Sequence, residues 1–375
     1  MTDMSLTFDA LREARPGHKW LQRWQRSWPA YEAWFTARGG DGGPTRADCR
    51  EALERHMPEL VPVWERLVAL TGNGDRAARF LSTWCPPPYL GGCSLAARAD
   101  QSGIRLVRNY DLSPDLNEGL LLHSSWTGRP VMGMVEFLWG LSDGVNDAGL
   151  CIALAYGGRT ETAEGFGITT ILRYVLEVCE TVDDALEVLR RVPSHMAYNL
   201  VLADRNGHTM GVEMLPGGGA RVLPQAIATN HQRNAPAPRA AFTRTFERHD
   251  HLSRVRSPAR DLHRHFAETP LRQDRYAEGF GTLFTAEYDP AGGVMRLIWP
   301  DQEWRQTLGD FREGQRVIRF GAPSAEFDWT LAGRIDWIAF GMDHANGKGR
   351  PFEAYLTEMM ASRNCGSGHQ GSNLH

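Results

Sequence analysis

The stretch Cys85-Pro86-Pro87-Pro88-Tyr89-Leu90-Gly91-Gly92-Cys93-Ser94, with the tetrad Arg108-Asn109-Tyr110-Asp111 downstream, decides how this sequence is read. Three consecutive prolines cannot continue a helix and hold an extended segment. Gly91 and Gly92 remove the Cβ atoms ahead of Cys93, which opens backbone conformations closed to other residues. A thiol directly after a bare glycine can turn back on its own amide. Arg108 and Asp111 follow fifteen and eighteen residues later, the distance at which a hairpin returns to its start. These residues point to Cys93 as a nucleophile and as a new chain N-terminus.

Working outward, the segment before Cys93 reads as helical through residue 84. It carries six of the twelve tryptophans, so it must pack against something. Trp20, Trp24, Trp28 and Trp34 lie near helical spacing, on pieces separated by Pro29 and the Gly39–Gly43 cluster. Thr45, with Asp48 three residues on, predicts the cap of a helix to His56; two more run over 59–70 and 75–84. After Cys93 the pattern turns to short strands, at 94–98, 104–109, 120–124, 131–137, 141–145 and 150–156. Two helices over 168–192, strands at 199–203, 208–214 and 220–223, a helical stretch over 238–266 and a hairpin over 282–299 follow. Residues from about 362 are polar and Gly-rich, and fraying is expected there. This order is neither regular βαβα nor all-β; it suits two antiparallel sheets covered by helices, an α+β architecture.

Composition narrows the function. A formal charge of −4 with no basic stripe argues against a nucleic-acid binder. No apolar run reaches the length of a membrane span, the longest candidate, 131–141, being broken by Glu136. The first residues lack the basic and apolar regions of a signal peptide, so cytoplasmic residence is expected. Six cysteines (49, 85, 93, 151, 179, 365) show neither CxxC nor zinc spacing. Residues two apart on a helix do not face each other, so His249/His251 and His263/His265 make no chelate in the predicted helix, and neither metal nor cofactor is expected.

The Pro-Pro-Pro-Tyr-Leu-Gly-Gly-Cys93 entry, the Arg108–Asp111 tetrad, Tyr156 and Thr229-Asn230-His231, in that order, resemble the N-terminal-nucleophile hydrolases of the cysteine type. More closely they are similar to the acyl-CoA:6-aminopenicillanic acid acyltransferase family, whose relatives include the choloylglycine hydrolases. The resemblance implies an αββα four-layer sandwich and a precursor cut between Gly92 and Cys93. Residues 1–92 would then form a helical pro-segment, 93–361 the catalytic domain and 362–375 a flexible tail. It also implies the roles. The freed α-amine of Cys93 serves as base, Arg108 stabilises the thiolate and Asp111 orients the amine. The Asn230 side-chain amide and the Tyr156 backbone N–H hold the oxyanion. Arg248 supports the site, although Arg244, Arg254 and Arg256 compete for that place. The acyltransferases carry glutamine at the Arg108 position and the bile salt hydrolases arginine, so hydrolase and transferase both stay open. Asn146, another family feature, reads most simply as a strand turn.

The implied activity is cleavage of linear amide C–N bonds in N-acyl compounds through an acyl-thioester. The partners are a small-molecule N-acyl amide or acyl-thioester and the chain's own N-terminal fragment, with no nucleic acid or membrane. Two other readings compete: a non-catalytic member of the fold with Cys93 never freed, and a redox thiol protein, which the lack of a resolving cysteine disfavours.

Overall fold

In the computed structural model, residues 4–89 and 91–320 are described. The chain opens with a strand, β1 (Met4–Arg12), and not with a helix. Its alternation of Met4, Phe8 and Ala10 inward against Ser5 and Thr7 outward fits a pleat. Helix α1 (His18–Ala37) then runs unbroken through Pro29, correcting the expected separation there. Trp20, Trp24 and Trp28 stack along it, with ring centroids 5.6 and 4.3 Å apart. Helix α2 (Arg46–His56) starts at the expected Thr45–Asp48 capping box, a device worth about 1 kcal/mol. Helices α3 (Val61–Leu70) and α4 (Asp75–Ser82) complete the segment, and Gly72, at φ +86°, terminates α3 in the left-handed region.

From Gly92 onward come β2 (Gly92–Asp100), β3 (Gly103–Leu112), β4 (Leu120–Ser124), β5 (Val131–Glu136), β6 (Gly140–Asn146) and β7 (Leu150–Tyr156). The helix pair follows as α5 (Ile168–Val178) and α6 (Val182–Arg191), the latter capped by Thr181 and Asp184. Next are β8 (Tyr198–Asp204), β9 (Thr209–Met214), β10 (Ala220–Val222) and β11 (Ile227–Ala228). The expected continuous helix over 238–266 is instead three short pieces, α7 (Ala240–Thr243), α8 (Thr245–Arg254) and α9 (Leu262–Phe266). Pro258 and the left-handed Arg244 interrupt it. The chain closes with β12 (Asp274–Arg275), β13 (Phe280–Asp289), β14 (Val294–Ile298), β15 (Glu303–Thr307) and β16 (Gly314–Phe320). The tail over 362–375 and Cys365 lie outside the described residues.

The strands form two sheets. The larger has the order β10-β9-β8-β7-β6-β5-β4-β1-β16; the smaller runs β11-β2-β3-β13-β14-β15, with β12 on β13. One apolar core lies between them, with Phe8, Cys93, Leu95, Leu106, Met132, Cys151, Phe284 and Ile318. A second core packs α1–α6 on the outer face of the larger sheet. A third packs α8 and α9 on the outer face of the smaller one, through Val107, Leu252, Leu262 and Phe266. The result is the helix–sheet–sheet–helix layering expected, an α+β sandwich. No helix among the described residues is long and apolar enough to cross a membrane.

The N-terminal segment is built into this sandwich. Strand β1 lies between β4, parallel to it, and β16, antiparallel. Buried indoles tie the same segment to the rest, Trp20 donating to the Leu138 carbonyl, Trp139 to that of Leu81 and Trp126 to that of Glu13. Each joins apolar burial to a satisfied N–H.

Candidate active site

Strand pairing decides which groups surround Cys93. Strand β2 lies on β3 with Gly92 opposite Asp111, Cys93 opposite Tyr110 and Leu95 opposite Arg108. On its other side β11 pairs Ala228 with Leu95, which brings Asn230 level with Cys93. Strand side chains alternate in facing. Arg108 and Tyr110 therefore share the inter-sheet face with the Cys93 sulfur, while Asn109 and Asp111 face the α8–α9 layer.

Gly92 sits in extended backbone, and neither Gly91 nor Gly92 has a positive φ. The need for glycine at 92 is one of space. A Cβ there would lie 2.2 Å from the Phe280 ring and 3.0 Å from the Asp111 carbonyl oxygen. The expected conformational freedom is thus replaced by close packing.

On the inter-sheet face, Arg108 Nη2 lies 3.2 Å from Cys93 Sγ. Its Nη1 donates to Ser142 Oγ at 2.8 Å and to the Asp143 carboxylate across the gap, a fully buried pair joining the sheets. Tyr288 donates to the other oxygen of Asp143. The Arg108 guanidinium also lies 4.5 Å from the centre of the Tyr110 ring, whose hydroxyl donates to Glu136. Burial works against the Arg108 charge, but the thiol, Asp143 and Glu136 outweigh it and raise its pKa. Cys93 is 2% exposed, and burial pushes its thiol up to about 11 against the opposing pull of Arg108. The thiol is therefore neutral near pH 7. Burial likewise raises Glu136 to about 7, although Arg108 and Tyr110 oppose the rise.

On the opposite face, Arg248 gathers the backbone of the same residue. Its Nη1 donates to the Cys93 carbonyl at 2.7 Å and to Ser94 Oγ at 2.9 Å, and its Nη2 to Asn230 Oδ1 at 2.6 Å. It lies 3.5 Å from Asp111 Oδ2, whose partner oxygen accepts from Thr282 at 2.7 Å. Burial weighs on both charges, raising the Asp111 carboxyl and lowering the Arg248 guanidinium. Of the four arginines weighed for this place, Arg248 is wholly buried against Cys93, whereas Arg244 is half-buried and paired with Glu247, Arg254 is exposed and paired with Asp250, and Arg256 is exposed.

Asn230 Oδ1 also accepts from the Cys93 backbone N–H at 3.2 Å, and its Nδ2 donates to the Tyr156 carbonyl at 3.0 Å. The two residues expected at the oxyanion are thus adjacent, Tyr156 at the end of β7 in the larger sheet and Asn230 in the bend just after β11 of the smaller one. The Cys93 backbone N–H is thus held by Asn230, while Asp111 bonds Thr282 and Arg248. The loop approaches this closely because Gly158, at φ +80°, follows β7: a Cβ there would lie 2.4 Å from the Asn230 carbonyl oxygen. Asn146, read as a turn residue, bonds Leu150, Leu176 and Cys179 and lies apart from the site.

The structure therefore gathers Cys93, Arg108, Asp111, Tyr156, Asn230 and Arg248 into one place. Sequence reasoning missed Ser142, Asp143, Thr282, Glu136 and Gly158. Only the Tyr156-Gly157-Gly158 run gave a signal, a glycine pair closing a strand.

Comparison with solved structures gives distant likenesses, among them the following three. A mutant of the conjugated bile acid hydrolase from Clostridium perfringens matches at 13% identity and TM-score 0.43, over 62% of this chain and 97% of its own. Penicillin V acylase from Agrobacterium tumefaciens matches at 15% and 0.40, over 58% and 86%. The Caenorhabditis elegans ortholog of N-acylethanolamine-hydrolyzing acid amidase matches at 16% and 0.39, over 60% and 100%. No curated protein matches. The family model for acyl-coenzyme A:6-aminopenicillanic acid acyl-transferase matches residues 98–304, a span that starts after Cys93 and contains Arg108, Asp111, Tyr156, Asn230 and Arg248. Because that span is more than half of the sequence, the chain belongs to the acyl-coenzyme A:6-aminopenicillanic acid acyl-transferase family.

Proposed function

We propose that this chain is a self-processing cysteine amidohydrolase or acyltransferase that acts on linear N-acyl amides through a thioester on Cys93. The observation that carries this reading is the 3.2 Å approach of Arg108 to the Cys93 sulfur, inside a site that also holds the Cys93 nitrogen and carbonyl.

In the precursor the Cys93 sulfur attacks the Gly92 carbonyl carbon. The C–N bond breaks, the nitrogen takes the thiol proton, and Gly92 is left as a thioester. Water cleaves it, restoring the thiol and releasing a Gly92 carboxylate. The freed α-amine has an ordinary pKa of about 7.7–8.0, so it serves as a base near neutral pH on the same residue as the nucleophile. Asn230 Oδ1 already accepts from that nitrogen and keeps it in place. In turnover the thiol attacks the substrate carbonyl and the ammonium returns its proton to the leaving nitrogen. The second Asn230 amide hydrogen and the Tyr156 N–H receive the oxyanion, where one such donor is worth about 3 kcal/mol. The thioester then passes to water or to an amine, which separates hydrolase from transferase. The N-terminal fragment stays bound, since β1 is an interior strand of the larger sheet.

Intact-mass measurement tests this. Wild-type protein is expected as two pieces, 1–92 and 93–375, and Cys93→Ala as one uncut chain. After incubation with N-acyl amines the 93–375 piece gains the acyl mass. A wild-type chain that stays whole and never gains acyl mass overturns the proposal and favours the non-catalytic reading.

A further inference from the structure

Tyr89, four residues before Cys93, turns its ring into an aromatic recess. It meets Phe137 at 4.5 Å and Tyr198 at 6.0 Å between ring centroids. A small gap beside it is walled by Trp34, Phe80, Phe137 and Thr169. The buried hydroxyls of Tyr89 and Thr169 make no well-formed hydrogen bond, although Thr169 and Tyr198 lie close enough to act on the Tyr89 hydroxyl; Thr169 is itself fully buried. A buried hydroxyl left unmatched is costly, so its retention calls for an explanation.

The recess is also held by a strained turn. Phe137 and Leu138 both take positive φ, +56° and +69°, outside the preference of either residue. Glu118 secures that turn by accepting from the Leu138 N–H at 3.0 Å. The Phe137 ring of that turn packs on Tyr89.

The chemistry proposed for Cys93 relates this recess to substrate, and the inference rests on that reading for its direction. One sulfur attacks both the Gly92 carbonyl and the substrate carbonyl, so both acyl groups leave the sulfur on the same side. The precursor's acyl group runs back from Gly92 to Tyr89. We propose that the recess around Tyr89 is the distal acyl-binding site of the processed enzyme. It takes long acyl groups that end in an aromatic, phenol-like ring, about 10 Å from the reactive carbonyl at ordinary chain reach. In the precursor Tyr89 is the built-in occupant; in the processed enzyme, where residues 1–92 stay bound through β1, the acyl group takes the recess by displacing the Tyr89 ring. Thr169 offers the ring hydroxyl a partner, and Glu136, which acts electrostatically on Tyr89 and Tyr198, disfavours anionic ends.

Two experiments test this. In the first, the recess is emptied in a chain unable to cut itself. Millimolar p-cresol, the tyrosine side chain alone, is expected to raise the Tm of Tyr89→Gly/Cys93→Ala by several degrees and to leave Cys93→Ala unmoved. An equal response in both overturns the inference; Tyr89→Leu/Cys93→Ala replaces the glycine variant should that one not fold. In the second, wild-type processed enzyme receives amides of one amine bearing octanoyl, 4-hydroxyphenylacetyl or 8-(4-hydroxyphenyl)octanoyl groups. The last is expected to exceed both others at least tenfold in kcat/KM. Turnover without that preference overturns the inference and leaves the amidase reading standing. A chain that neither cuts itself nor turns over any amide overturns both.

Discussion

Cys93 and Cys151 lie in the same inter-sheet core, on strands of opposite sheets, and both are buried. Burial raises both thiols. The Cys151 sulfur donates to the Ala203 carbonyl at 3.4 Å, and the negative charges of Asp289 and Asp204 push its pKa further up. Cys93 instead has a guanidinium at 3.2 Å, anchored from the opposite sheet by Asp143. Desolvation alone makes an inert thiol; what distinguishes the candidate nucleophile is a buried cation fixed beside it.

The widest separation between the two cysteines is expected on substitution. Cys93→Ala should abolish chain cleavage and amide turnover, whereas Cys151→Ala should leave both within about twofold, read by intact mass and product formation. Next comes the cation. Arg108→Met should slow cleavage by about two orders of magnitude, as loss of a charge-stabilising donor does. It should also destabilise the fold by about 3–5 kcal/mol, because Asp143 is left buried and unpaired. Arg108→Met/Asp143→Leu should restore most of the stability in denaturant titration and none of the cleavage, which separates the two effects.

A smaller effect is expected before the sulfur. Gly92→Ala places a methyl group against Phe280, so cleavage should slow about tenfold, and Phe280→Ala in the same chain should recover part of the rate. The smallest concerns charge at a distance. Measured before processing, alkylation of Cys93 should still be climbing at pH 9, because its thiol is held up to about 11. Glu136 adds to that rise, so Glu136→Gln should move the alkylation midpoint down by a few tenths of a pH unit and leave Cys151 unchanged.

The sign of the linkage follows from the same shift. A thiol whose pKa is higher folded than unfolded favours the folded state below its unfolded value of about 8.5. That contribution drains away as pH rises from about 8.5 toward about 11.

Local chemistry made much of this legible from residues alone. The Thr45–Asp48 cap, the helix pair after Gly167 and the strands over 120–124 and 150–156 are written in side chains close in sequence. β1 was missed although Leu6, Phe8 and Ala10 alternate with polar residues; the tryptophans after it drew the whole segment into a helical reading. Strands β15 and β16 were missed as well. In the site, Arg108 could be singled out, but its partner Asp143 lies thirty-five residues on and in the other sheet. No spacing rule links such a pair, since only the stacking of two sheets brings it together. Asn230 was found as a residue; its grip on the Cys93 nitrogen depends on the β11–β2 register.

Strand β1 carries one more consequence. It pairs along most of its length with β16, the last described strand, although the two lie at opposite ends of the described chain. Breaking the Gly92–Cys93 bond would change the molecularity of unfolding from one to two. An intact chain refolds at a rate independent of dilution, but two pieces sharing a sheet must find each other again. The midpoint of thermal melting would then depend on protein concentration, and each processed molecule would have a single chance to fold cheaply, the one it took before it was nicked.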